Sequence, residues 1–320
     1  MNLKLVLALV ACTLAPWSAQ GQAQYPNQTI KLLVPASAGG LPDTVARIIG
    51  RRLQEKVGQS VIVENRTGGN ASVAVAAMMA APADGHTFIV QDGSIYTINP
   101  QIHANLTYKA QDLMPVALVA RAPLFLAVHP SAPVGSMKEF IDYARANPGK
   151  LNYGSSGVGS THHLSMEAIK AALKLDMTHI PFKGTGESVP ALIGGHVQVL
   201  FSAYPSLKGV AEQNRVRLLA TNGAQRSAQA PDVPPVADWI PGFDFAPMIG
   251  LYARSGTPPA MIQKIAAEIA ALVKEPDIIR QFTVTGIEAV GGSPEEFGRA
   301  LNGETERVAA VVKSAGIKPQ

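Results

Sequence analysis

The chain has 320 residues, 47% of them apolar and 16% charged, with a formal net charge of +4 at pH 7. That length and apolar content support a sizeable core, or two, and exclude a disordered chain. The basic residues are scattered, so the concentrated basic face of a nucleic-acid binder is absent and no nucleic-acid partner is expected.

In chain order, the first feature is a processing signal. Lys4 and the mostly apolar residues 5–14 precede a small-x-small site at Gly21-Gln22-Ala23, the pattern of a secretory signal (1–23) cleaved near Ala23. Ten apolar residues fall short of the roughly 20 that span a bilayer. The one cysteine, Cys12, lies in this segment. Its setting, Leu9-Val10-Ala11-Cys12, leaves an apolar run at the bottom of the usual signal length, so lipid anchoring there is not expected. Cleavage removes the thiol and with it disulfides, thiolate catalysis and cysteine-ligated metals. With no later apolar run of membrane-spanning length, the mature chain is expected to be exported and soluble.

Residues 30–34 read as a short buried strand. From Asp43 the period changes: Val45, Ile49 and Leu53 recur every four residues with Ile48 beside them, and Arg47, Arg51 and Arg52 lie off that stripe. Val61-Ile62-Val63 is a second strand and Thr67-Gly68-Gly69-Asn70 a turn. An Ala-rich helix to Met79 is stopped by Pro82, and 87–90 is a third strand. These short βαβαβ connections predict a parallel sheet with right-handed crossovers. Beyond the apolar stretch 116–128 a second unit is expected. It starts with a helix capped by Ser136, with Glu139 three residues on. A strand at 151–153, a helix at 161–173, a strand at 178–181, a helix at 187–193 and strands at 197–201 and 217–221 follow. A Pro-rich segment (231–241) leads to a second apolar stretch at 245–252, then helices at 258–274 and 294–313. Two apolar stretches flanking one α/β unit predict two crossings between lobes. Residues 24–124 with 245–320 form the first lobe, onto which the C-terminal segment packs back, and 125–244 form the second.

Four loops (36–43, 91–99, 154–161 and 183–187) follow strands. Ligands of open parallel sheets bind at such strand ends, where helix N-termini offer free N–H groups and about half a positive charge. The first loop offers Ser37, Gly39 and Gly40, with Asp43 at the helix start serving the dipole or a cap rather than catalysis. It has neither the P-loop nor the dinucleotide glycine spacing. The loop at 154–161 sets Ser155, Ser156, Ser160 and Thr161 ahead of a helix, but the Gly-x-Ser-x-Gly elbow fails at Val158. His162 and His163 are adjacent and so face different ways, which speaks against a metal pair. The loop at 183–187 contributes Gly184, Thr185 and Gly186; Lys183 is either a counter-ion or solvated, and Phe182 either a pocket wall or core. The loop at 91–99 adds Ser94, Tyr96 and Thr97. Many neutral donors, few committed charges and no positioned base describe binding rather than catalysis.

The ordered motifs Tyr25-Pro26, Val34-Pro35 with Gly39-Gly40-x-x-Asp43, Val63-Glu64-Asn65-Arg66, Asp84-Gly85-His86-Thr87, Ile98-Asn99-Pro100, Tyr153-Gly154-Ser155-Ser156-Gly157, Phe182-Lys183-Gly184 and Gly256-Thr257-Pro258 carry a resemblance. The chain resembles the substrate-binding proteins of tripartite tricarboxylate transporters, the Bug family, from Tyr25 to about Gln320. The resemblance implies an α/β two-lobed periplasmic clamp of the Venus-flytrap kind, each lobe a mainly parallel sheet flanked by helices, with two crossover strands as hinge. It implies a monomer that captures a small organic carboxylate and delivers it to membrane permease subunits, without cofactor, metal or catalytic residues. Carried over residue by residue, the first-lobe contacts would be Ser37, Ala38, Gly39, Gly40 and Ser94, with Asp43 ordering its loop. The second-lobe contacts would be Ser155, Ser156, Thr161, Gly184 and Thr185.

Two departures from the family pattern stand out. Ala38 replaces the usual proline before the glycine pair, which alters the loop. Ser202 stands where many members place an aspartate facing the cleft, so a ligand ammonium loses a partner and a carboxylate without an amine is expected. Tyr204 would line the pocket against an aromatic or longer aliphatic acid. The rival functions are a ligand-loaded extracytoplasmic sensor docking on a receptor kinase, and an exported hydrolase using the same cleft.

Overall fold

The computed structural model describes residues 25–319; the expected secretory signal, its expected cleavage site and Cys12 lie outside the described residues. The chain runs β1 (Ile30–Val34), α1 (Leu41–Val57), β2 (Val61–Asn65), α2 (Ser72–Ala80), β3 (Thr87–Asp92), the short α3 (Ser94–Thr97) and α4 (Asn99–Ile102), and β4 (Leu113–Arg121). It continues through β5 (Leu124–Val128), α5 (Met137–Ala146), β6 (Asn152–Ser155), α6 (Thr161–Leu173), β7 (Thr178–Pro181), α7 (Thr185–Ile193), β8 (Val199–Ala203), α8 (Tyr204–Glu212) and β9 (Arg217–Thr221). It finishes with β10 (Met248–Arg254), α9 (Pro259–Leu272), α10 (Pro276–Val284), β11 (Glu288–Gly292) and α11 (Pro294–Ser314).

Local chemistry sets these boundaries. In α1 the stripe Val45, Ile49 and Leu53 is buried, Pro42 sits in the first turn where its missing N–H costs nothing, and Gly58 (φ 67°) ends the helix with its N–H on Gln54 O. Ser136 Oγ accepts from Glu139 N at 3.2 Å and so starts α5. Ser293 and Glu296 form a reciprocal capping box at the start of α11.

The strands make two sheets, one ordered β11-β4-β10-β3-β1-β2 and the other β7-β6-β8-β5-β9. β1 runs parallel to β2 and β3, and β6 parallel to β7 and β8, as the βαβ reading requires. The sheets are nevertheless mixed. β10 is antiparallel to β3 and β4, β11 to β4, and β5 to β8 and β9. Helical crossovers give parallel neighbours, whereas β5 and β10 enter their sheets from the other sheet and run reversed.

We call the two sheets with their helices the first and second lobes. The first passage between them is Ala122-Pro123, and the second runs through residues 222–247. Asn222 ties these passages together: its Oδ1 accepts from Leu124 N at 2.8 Å and its Nδ2 donates to Phe245 O at 2.8 Å. Arg121 adds two bonds to the Asp244 carboxylate at 2.8 and 2.7 Å.

The segment after residue 252 holds one strand, β11, and a helix (α10) that its sequence does not announce. α11 also departs from simple packing on the first lobe. Phe297 and Leu301 join the first-lobe core with Leu118, Met248 and Tyr252, while Val308 and Val311 join the second-lobe core with Ala168, Phe243 and Phe245. Among the described residues no helix is long and apolar enough to cross a membrane.

Candidate functional site

A cavity of about 470 Å³ lies between the lobes, beyond the carboxyl ends of β3, β6 and β8, where open α/β sheets bind ligands. The first lobe contributes Asp92 from the end of β3, Ser94 from the start of α3, Ile98 between α3 and α4, and Asn99 and Ile102 from α4. The second contributes Ser156, Ser160, Thr161 and His162 at the start of α6, Thr185 at the start of α7, and Ser202 from β8. The N-termini of two helices therefore open on the cavity from one side.

Of the residues nominated from sequence, Ser94, Ser156, Thr161, Thr185 and Ser202 meet here. The others stand outside the lining, for identifiable reasons. The first loop spends its amides on itself: Gly39 N donates to Asp43 Oδ2 at 2.8 Å and Gly40 N to Ser37 O at 3.0 Å. Ser37, Ala38 and Gly39 are exposed, and only Leu41 at its end reaches the cavity. Asp43 is 2% exposed and also accepts from Arg47 Nε at 3.0 Å and Asn65 Nδ2 at 2.9 Å. Burial pushes its carboxyl up, but the bonds from Arg47, Gly39 and Asn65 outweigh it and hold the pKa below the usual value. Ser155 is buried with Oγ 2.7 Å from His179 Nε2 and 3.1 Å from Gly157 O. Gly184 is the N-cap of α7, behind Thr185. Tyr204 packs on Phe125, ring centroids 5.2 Å apart. Lys183 is exposed, and Phe182 packs against the second-lobe core.

Three features of the site were not anticipated. First, Ser156 Oγ lies 2.8 Å from His162 Nδ1, so a cavity hydroxyl does have an imidazole in reach; the loop between them folds back, which spacing alone does not show. Burial pushes His162 down to about 4, leaving it neutral at ordinary pH. Second, Ser202 Oγ is fully buried with no hydrogen-bond partner among the described residues. Third, Asp92 is the one carboxylate in the lining, and no Lys or Arg lines the cavity among the described residues. Its Oδ1 accepts from Ser94 N at 2.9 Å, while burial raises its pKa. Asp92 sits in the 91–99 stretch, but the hydroxyls beside it drew the sequence reading.

Behind Asp92 stands Glu304 of α11, 5% exposed, with Oε2 unpartnered among the described residues. Burial pushes its carboxyl up to about 7, and the Asp92 charge adds to the shift. Gly93 makes room for it, since a Cβ there would lie 2.7 Å from Glu304 Oε2. Among the described residues no group of three or more His, Cys, Asp or Glu side chains could hold a metal ion.

Comparison with known proteins places this geometry. The sequence is 31% identical over 307 residues to the UPF0065 protein in the tcbD-tcbE intergenic region of a Pseudomonas species, covering 94% of this chain and 91% of that one. The structure is similar to that of R. palustris Rpa4515 with adipate, at a TM-score of 0.77 and 34% identity over 92% of this chain and 100% of the other. It is also similar to MatC (Rpa3494) from Rhodopseudomonas palustris with bound malate, at a TM-score of 0.71 and 28% identity over 90% and 100%. Residues 45–317 match the family described as Tripartite tricarboxylate transporter family receptor, and with the two-lobed fold and interlobe cavity this establishes that the chain belongs to that family.

Proposed function

We propose that this chain is an exported, periplasmic solute receptor, acting as a monomer, that closes its lobes on a small organic carboxylate and presents it to membrane permease subunits. The carrying observation is the cavity wall, where hydroxyls and the N-termini of α6 and α7 offer neutral donors to an anion from one lobe across from the other. The adipate and malate in the two similar structures support this ligand class. Closure is a rotation about the passages at 122–123 and 222–247, with residues 24–124 and 245–320 moving against 125–244. Ligand shifts the population because its contacts to both walls exist together only in the closed form. A thermal-shift screen against mono-, di- and tricarboxylates and amino acids tests this. A ligand at about 100 times its Kd should stabilise the fold by about 2.7 kcal/mol, and no shift with any organic acid would overturn the reading.

The Ser156–His162 pair favours a second reading, an exported hydrolase with Ser156 as nucleophile. An imidazole pushed down to about 4 is a weak base for that role. Ester turnover lost in Ser156→Ala would establish it; its absence leaves the pair as two ligand donors.

A further inference from the structure

The cavity lining holds one acidic side chain, Asp92, and among the described residues no Lys or Arg. A carboxylate ligand finds its partners on the second-lobe side, at the N-termini of α6 and α7. Ser202 Oγ supplies a second pointer to a ligand there, being fully buried and without a partner among the described residues while lining the cavity. On the first-lobe side, Asp92 presents a carboxylate, and Gly93 next to it leaves room for the Glu304 carboxyl of α11. A ligand that is negative at both ends would set its second carboxylate against Asp92. A ligand with a positive end would satisfy both walls.

We propose that the ligand is zwitterionic, a carboxylate that also bears an ammonium group, with its carboxylate toward the helix N-termini and its nitrogen on Asp92. This rests on the carboxylate-receptor reading and narrows it, and it reverses the expectation of an amine-free ligand drawn from Ser202. Burial raises the Asp92 pKa in the empty cavity, and an ammonium against it restores the ionised form.

The test is calorimetric titration with three pairs that differ only in an amine: 4-aminobutanoate and butanoate, 6-aminohexanoate and hexanoate, 2-aminoadipate and adipate. In at least one pair the amino acid should bind tenfold or more tighter than its partner. Asp92→Asn should lower that amino acid's affinity at least tenfold and raise that of the amine-free partner. Amine-free acids binding as well or better in every pair would overturn the inference while leaving the carboxylate receptor intact. So would an amine preference that survives Asp92→Asn. Should that variant not fold, the wild-type ratios alone decide. No binding by any of the six acids, with no shift in the wider screen, would overturn the receptor reading and this inference with it.

Discussion

Ile102 of the first lobe rests directly on Gly159 of the second: a Cβ at residue 159 would lie 2.2 Å from Ile102 Cδ1. Gly159 also has φ +77°, a left-handed backbone that costs other residues about 1–2 kcal/mol. The contact marks how closely the lobes meet at one rim of the cavity. Gly159→Ala should weaken ligand binding five- to tenfold by holding the rim apart, and adding Ile102→Ala should recover part of the loss. Calorimetry on the single and double variants checks this; equal affinity for Gly159→Ala and wild type would remove the contact from closure.

Asp43 should behave as a structural group. Asp43→Ala frees Gly39 N–H and the Asn65 amide and strips Arg47 of its partner, a loss of about 2–3 kcal/mol in urea unfolding. Because the folded pKa is depressed, the stabilisation is present above the unfolded carboxylate pKa and is lost as pH falls through the folded value. Wild type should therefore lose stability below about pH 4 more steeply than the variant.

Glu304 should act in the opposite sense. Its folded pKa is raised from the ordinary 4.5 to about 7, so its stability is full below pH 4.5 and is lost as pH climbs through 7. Asp92, also raised, adds to the same slope. Glu304→Gln should flatten that loss, worth up to about 3 kcal/mol, leaving the variant more stable than wild type at pH 8. Urea unfolding at pH 5 and pH 8 decides it.

Two serines should separate binding from folding. Ser202 Oγ has no partner among the described residues, so Ser202→Ala should leave the unfolding midpoint unchanged or raise it, while weakening ligand binding about fivefold. Ser155 bonds His179 and Gly157, so Ser155→Ala should lower stability by about 1–2 kcal/mol. The opposite pattern in paired melting and titration curves would exchange their roles.

Periodicity made much of this fold legible. Val45, Ile49 and Leu53 announce α1, and the hydroxyl-rich run before Thr161 announces the start of α6, because these signals are local. The insertion of β10 between β3 and β4 leaves no such trace, since strand neighbours far apart in sequence are chosen by the rest of the sheet. The cavity lining was readable where a side chain alone decides, as with Ser94, Ser156 and Thr185. It was unreadable where a loop turns its amides inward, as Gly39 does to Asp43. Asp92 escaped because an acid at a strand end looks the same whether it faces solvent or a cavity.

The insertion of β10 also fixes an order of events. Every strand of the second sheet lies within residues 124–221, whereas the first sheet waits for residues 248–254 to fill its middle and 288–292 to complete its edge. A chain emerging N-terminus first therefore delivers every strand of the second sheet while the first still exposes the flanks of β3 and β4. Those bare edges are where a stalled or truncated chain would aggregate. Clipping the chain within α11 would leave both cores missing their final side chains at once.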